Sequence, residues 1–248
     1  MKKLSIKTQL IIFLSIFALY LSLRDKDFIS FLSLFIAFVS SLAVDCLFVF
    51  FKERKFRLTE SSCVSGLIIG LVLSSDNAWW KIVLVSVSAI SSKHLIRFKG
   101  KHLFNPAAFG ILSAMILLGV QTQWRGTYLW YILVPAGLYF IYKIRKLEVV
   151  IGYSLAALLL FGVQAVVQKA PLLNIFGYLS YFFIFIMLIE PKTTPVKSKV
   201  KLIFGLGVAI LIFIFTEAGV KFDAELCGLL VMNLALPLLN KIPERRKA

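Results

Sequence analysis

Acidic side chains are scarce in this sequence. Twelve Asp and Glu stand against 28 Lys and Arg, and the four types together make up only 16% of the 248 residues. Soluble domains carry roughly 25% charged residues, and no stretch here is polar enough over enough length to form a separate soluble domain. Histidine is nearly missing, with only His94 and His102. A transmembrane haem relay needs histidines facing one another within the bilayer, so that chemistry is excluded. Three cysteines, Cys46, Cys63 and Cys227, lie inside apolar runs. Their odd number and the lack of a Cys-x-x-Cys pair exclude a disulfide framework and a thiolate metal site. They read as small packing residues.

What the chain has in abundance is apolar length. Hydrophobic residues make up 60%, with 23 Phe among them. A membrane-crossing helix needs about 20 mostly apolar residues, with a range of roughly 17–25. Ten stretches qualify or approach this: 9–23, 28–51, 60–75, 78–92, 104–120, 127–142, 147–168, 171–189, 202–217 and 222–239. The expected class is an all-α polytopic membrane protein. The third and fourth stretches, split by Ser74-Ser75-Asp76-Asn77, read either as two spans or as one re-entrant pair. The first, behind Lys2, Lys3 and Lys7, resembles a signal peptide without a small-residue cleavage site, and is expected to remain as a helix.

The net charge of +16 does not point to nucleic acid, because the basic residues fall in short bursts between apolar runs. With the N-terminus inside, alternate loops collect 22 of the 28 basic residues. Arg24, Lys26, Lys81, Arg125, Lys169 and Lys221 fall outside. Deleting one segment would invert this bias beyond that point, so the charges favour an even number of crossings. Both termini are then expected on the cytoplasmic side. Phe104-Asn105-Pro106-Ala107 with Gly110 recurs as Phe222-Asp223-Ala224-Glu225 with Gly228, 118 residues on. This suggests two five-segment repeats, 1–122 and 123–248. Because five is odd, their topologies are opposite, and such repeats often hold a substrate or ion site between them.

Few residues carry chemistry. Asp45 sits inside the second stretch, where an ionisable group is costly. It is a candidate for an ion path or, on the plainer reading, a carboxyl bonded to a neighbouring helix. Asn233, deep in the tenth, must find a partner. Glu60 and Glu148 fall in first helical turns, where the dipole favours them. Glu190 ends its segment, where the dipole does not, and opens the turn Pro191-Lys192-Thr193-Thr194-Pro195. That turn suits either a phosphate or a stiff solvated loop. Asn105 and Pro106 suit an N-cap and a first helical position. Trp79 and Trp80 read as an interfacial anchor.

Three stretches taken together resemble a known family. They are Ser65-Gly66-Leu67-Ile68-Ile69-Gly70 followed by Ala78-Trp79-Trp80; Lys93-His94 leading to Phe104-Asn105-Pro106-Ala107-Ala108; and Glu190-Pro191 through Thr194 with Asn233-Leu234-Ala235-Leu236-Pro237. In order and spacing they resemble the family of membrane subunits shared by the Rnf electron-transport complex and the sodium-pumping NADH:quinone reductase. The resemblance implies ten segments in two inverted halves, a flavin in the membrane domain, and electron flow coupled to Na+ or H+ movement. It makes Lys93, Asn105, Pro106, Glu190, Pro191, Thr193 and Thr194 candidates to contact flavin, with Asp45 and Asn233 on an ion path. Family members hold FMN on the Thr of a Ser-x-Ala-Thr motif. This sequence lacks that motif, and the loop from Lys143 to Leu147 is too short to host it. The flavin expected here, FMN or riboflavin, is therefore non-covalent. Expected partners are the lipid bilayer and other electron-transport subunits or a soluble flavin reductase, with the chain not catalytic alone. The alternative is a transporter or channel for a small solute such as riboflavin on the same fold.

Overall fold

The structure, a computed structural model, describes residues 4–171, 173 and 175–243. Among the described residues ten α-helices follow one another: α1 (Ile6–Asp25), α2 (Phe28–Glu53), α3 (Glu60–Val72), α4 (Trp79–Leu95), α5 (Pro106–Leu118), α6 (Trp130–Ile144), α7 (Leu147–Val167), the single turn α8 (Ile175–Tyr178), α9 (Ser198–Glu217) and α10 (Ala224–Leu239). The chain is an all-α polytopic membrane protein. Four helices, α1, α2, α7 and α9, have 20 to 26 residues and the hydropathy to cross a bilayer unaided. At 1.5 Å per residue, 20 residues cover the hydrocarbon thickness of about 30 Å.

Short polar side chains start these helices where the hydrophobic runs begin. Ser5 accepts from the Thr8 amide, Asp27 from Ser30, Thr59 from Ser62, Asn105 from Ala108, and Asp223 from Glu225 and Leu226. Each satisfies an amide that the first helical turn leaves without a partner. Lys26, Arg54 and Arg145 end α1, α2 and α6 in the left-handed conformation.

The chain divides into two compact units, one up to Tyr128 and one from Leu129. In the first, α2 packs on α3 and α4, α4 on α5, and α1 on α3. Gly66 and Gly70, four residues apart on α3, let its backbone approach α2. A Cβ at Gly70 would lie 2.7 Å from the Leu34 Cα. Such small-residue seams allow the close packing that holds helices together where lipid supplies no hydrophobic drive. In the second unit α7 packs on α9, and α9 on α10. Gly152 faces the Leu202 carbonyl, and Gly205 the Val149 carbonyl, so closely that no side chain fits at either position.

The third element of the first unit is short and buried nearly all round, from Ser65 through Val72. Its last carbonyls are not left to lipid. Leu71 O accepts the Arg125 amide at 2.8 Å, and Val72 O accepts Gln123 at 2.8 Å and Trp124 at 3.2 Å. The chain at 120–125 thus closes the end of α3 with backbone bonds, which an apolar setting demands.

Two expectations need correction. The eighth apolar stretch is not one helix. It forms the single turn α8, then a π-helical turn at Phe183–Met187. Every residue from Phe182 to Ile189 is buried. Interior packing supports irregular backbone that could not face lipid. Lys93 to Leu95, assigned to the loop after the fourth segment, belong to α4, and Arg97–Phe98 then pairs antiparallel with Lys101–His102 across a turn at Lys99 and Gly100.

Candidate functional site

Two buried polar clusters stand out, one in each unit. In the first, Asp45 continues the buried face of α2, which runs through Ser30, Ser33, Ala37 and Ser41 at helical spacing. Asp45 is fully buried. Lys93 and His94, in the last turn of α4, converge on it. Lys93 Nζ donates to Asp45 Oδ1 at 2.8 Å, and His94 Nε2 lies 2.8 Å from the same oxygen. Thr59, the cap of α3, donates its hydroxyl to Asp45 Oδ2 at 2.5 Å and accepts from Lys93 at 3.2 Å. Phe48 stacks on the His94 ring with centroids 4.6 Å apart, which fixes the imidazole plane.

The start of α3 and the end of α4 therefore meet at one carboxylate on the buried face of α2. A buried anion survives only when it is paired and hydrogen-bonded, and this one has an ammonium, an imidazole and a hydroxyl. Lys93 stands between Asp45 and Thr59, where a free monovalent cation would seek oxygen ligands. The cluster holds its own tethered cation, the Lys93 ammonium.

The second cluster surrounds the turn after the π-helical segment. Thr194 Oγ1 donates to the Glu190 carbonyl at 2.7 Å, and Thr193 Oγ1 to Glu190 Oε2 at 3.3 Å. Asn233 of α10 donates its amide to the Thr193 carbonyl at 3.0 Å. Lys146 reaches in from the α6–α7 corner and donates to the carbonyls of Pro195 at 2.6 Å and Thr194 at 3.3 Å. Thr193, Thr194, Lys146 and Asn233 are all buried. Beside them, Glu148 accepts from Ser198 Oγ at 2.7 Å and from Lys201 Nζ at 3.2 Å.

Of the residues singled out in the sequence, Asp45 and Lys93 come together in the first unit, and Glu190, Thr193, Thr194 and Asn233 in the second. Asn105 is spent as the cap of α5 and Pro106 opens that helix, both buried. Pro191 lies exposed at the edge of the Glu190 turn. Three contributors were not found in the sequence. Thr59 and His94 each sit at a helix end, and nothing local points either at Asp45. Lys146 stands in a run of basic residues and is indistinguishable there from its exposed neighbours.

These features describe a polytopic helical membrane protein with buried charge at its helix ends. The sequence profile of the NQR2, RnfD, RnfE family matches residues 2–131 and again 118–248. The chain belongs to that family. Among individual proteins, it is 31% identical over 100 residues to the D-type subunit of the ion-translocating oxidoreductase complex of Aeromonas salmonicida (strain A449), covering 38% of this chain and 29% of that protein. It is also 31% identical over 98 residues to the protein of that name from Aeromonas hydrophila subsp. hydrophila, covering 38% of this chain and 28% of the other. The matched part thus spans less than a third of either relative.

Proposed function

We propose that this chain is the membrane subunit of a flavin-dependent electron-transport complex in a prokaryotic plasma membrane. It couples electron transfer to the movement of a cation, Na+ or H+. The observation that carries the reading is the family match over both halves of the chain. The two 31% identical relatives, each named as part of an ion-translocating oxidoreductase complex, support it. The double match also supports two five-segment repeats, divided near residue 122. The odd segment count and the alternating basic loops give these repeats opposite topologies, with both termini cytoplasmic.

In this reading the Asp45–Lys93–His94–Thr59 cluster lies on the ion path. Its donors favour a proton over Na+. Lys93 already neutralises the carboxylate in the place a metal cation would take, and the other groups around Asp45 are the His94 imidazole and the Thr59 hydroxyl, not further carboxylates. Other subunits, or a soluble flavin reductase, dock at the basic loops.

The flavin, FMN or riboflavin, is proposed as a non-covalent ligand because the Ser-x-Ala-Thr attachment motif is missing. The residues that the resemblance nominates do not fit it as they stand. Lys93 is paired to Asp45, Asn105 caps α5, and the Thr193 and Thr194 hydroxyls turn back on Glu190. The flavin therefore rests on the family alone. The absent motif equally favours the second reading, a riboflavin or small-solute transporter on the same fold.

Purification in mild detergent, followed by visible absorption and mass analysis of the released small molecules, separates the two. A stoichiometric yellow chromophore that dithionite bleaches supports the electron-transfer reading. A colourless protein that moves riboflavin into proteoliposomes without an electron donor refutes it.

A further inference from the structure

We propose that the corner between α6 and α7 binds the head group of an anionic phospholipid, from the leaflet that the basic loops face. The chain leaves α6 at Ile144, turns through Arg145 and Lys146, and enters α7 at Leu147. The corner borders an open cavity of about 840 Å³. Its lining is apolar at Leu138, Ile141 and Leu147 and polar or charged at Tyr142, Lys143, Arg145 and Glu148.

Three basic residues crowd this corner, and the structure gives them different work. Lys146 is buried and committed to the Thr194 and Pro195 carbonyls. Arg145 has a left-handed backbone, and its carbonyl accepts from Lys201 Nζ at 2.7 Å. Its main chain is held while its side chain stays exposed. Lys143 is exposed too, with its ammonium 5.5 Å from the centre of the Tyr139 ring. The acid in the cavity wall, Glu148, would repel a phosphate if bare. Its two oxygens are instead engaged by the Ser198 hydroxyl and the Lys201 ammonium. The cavity therefore presents two exposed cations, neither paired with a carboxylate among the described residues, beside aliphatic side chains.

That combination selects its occupant. A neutral lipid would use the aliphatic side chains and leave the cations without a partner. A free phosphate would use the cations and leave exposed Leu138, at 54%, and Leu147, at 51%, in water. An anionic glycerophospholipid meets both, its phosphodiester between Lys143 and Arg145 and its acyl chains along Leu138 and Leu147. Basic pockets between helices on the cytoplasmic side recognise such head groups, and Tyr142, 80% exposed, stands where interfacial aromatic residues gather. The site is independent of the redox reading.

The test is native mass spectrometry of the purified full chain, titrated with phosphatidylglycerol or phosphatidylcholine. Phosphatidylglycerol should be retained and phosphatidylcholine lost. Lys143→Gln and Arg145→Gln should each weaken phosphatidylglycerol about fivefold, and together about thirtyfold, as expected for basic side chains near an anionic surface. Leu138→Trp, which enlarges the apolar lining and keeps the charges, should weaken it as well. Equal retention of the two lipids, or an unchanged affinity in the double variant, overturns the proposal. So does displacement by millimolar inorganic phosphate, which would mark a free-anion site. If the double variant does not fold, the wild type decides: about 0.5 M NaCl must lower retention through screening, and an effect of salt on neither lipid overturns the proposal.

Discussion

Asp45→Asn is the substitution that most directly tests the packing of the first unit. The carboxylate is fully buried, while the Lys93 side chain keeps 10% of its surface exposed. Asparagine preserves the size and one acceptor oxygen but leaves the Lys93 ammonium without a counter-ion. Removing one partner of a buried pair costs about 3–5 kcal/mol. Lys93 has a long stem and some access to water, so it can move its charge outward, and the expected loss is about 3 kcal/mol, at the low end of that range. Lys93→Met should cost less, because His94 and Thr59 still hydrogen-bond the carboxylate. The double variant Asp45→Asn/Lys93→Met then carries no unpaired charge. Relative to the sum of the singles it should recover about 2 kcal/mol, within the range seen for directly contacting residues. The assay is equilibrium unfolding of the purified protein in mixed micelles, run on all four corners of the cycle. Additivity within about 0.5 kcal/mol would refute the reasoning, and would mean that the two side chains do not meet at this carboxylate.

Other outcomes follow from single contacts. Lys146→Met leaves the Thr194 and Pro195 carbonyls without their buried donor and should cost about 1–3 kcal/mol in the same unfolding assay, whereas Lys143→Met should cost almost nothing. Asn233→Ala removes the bond to the Thr193 carbonyl and should cost about 0.6 kcal/mol and no more than about 1.7, the average and maximum for polar contacts within membrane proteins; limited proteolysis should then cut first at the Glu190 turn. Gly205→Leu should separate α7 from α9 and abolish monodisperse protein on size exclusion, whereas Gly177→Ala, where the added carbon meets no atom of another element among the described residues within 4 Å, should elute as the wild type. Asp27 caps α2, and hydrogen bonds from the Ser30 hydroxyl and amide hold its carboxyl below the usual range. A lowered folded-state value means stability present above the unfolded value of about 3.9 and lost as pH falls through the folded one. The stability gap between wild type and Asp27→Ala should therefore be full at pH 7 and shrink below about pH 4.

Much of this architecture could be read from the chain in order. Hydropathy is a local sum, and the runs 28–51 and 147–168 lie within one or two residues of α2 and α7. The caps Asn105 and Asp223 are local too, since a side chain that bonds the amide two or three residues on needs no distant partner. The eighth stretch shows the limit. Its residues are as apolar as those of any crossing helix, and nothing in their order says that other protein, not lipid, surrounds them. That surrounding allows a π-helical turn at Phe183–Met187.

Sequence alone determined the class of this protein, the number and order of its apolar segments, and the alternation of its basic loops. These depend on composition along a line. Only the tertiary structure decided that Asp45 meets Lys93 and His94, 48 and 49 positions away, and that Lys146 turns inward while Lys143 and Arg145 do not. A charge in a low-dielectric interior is stable only beside its partner, and which side chains become partners is set by how the helices pack.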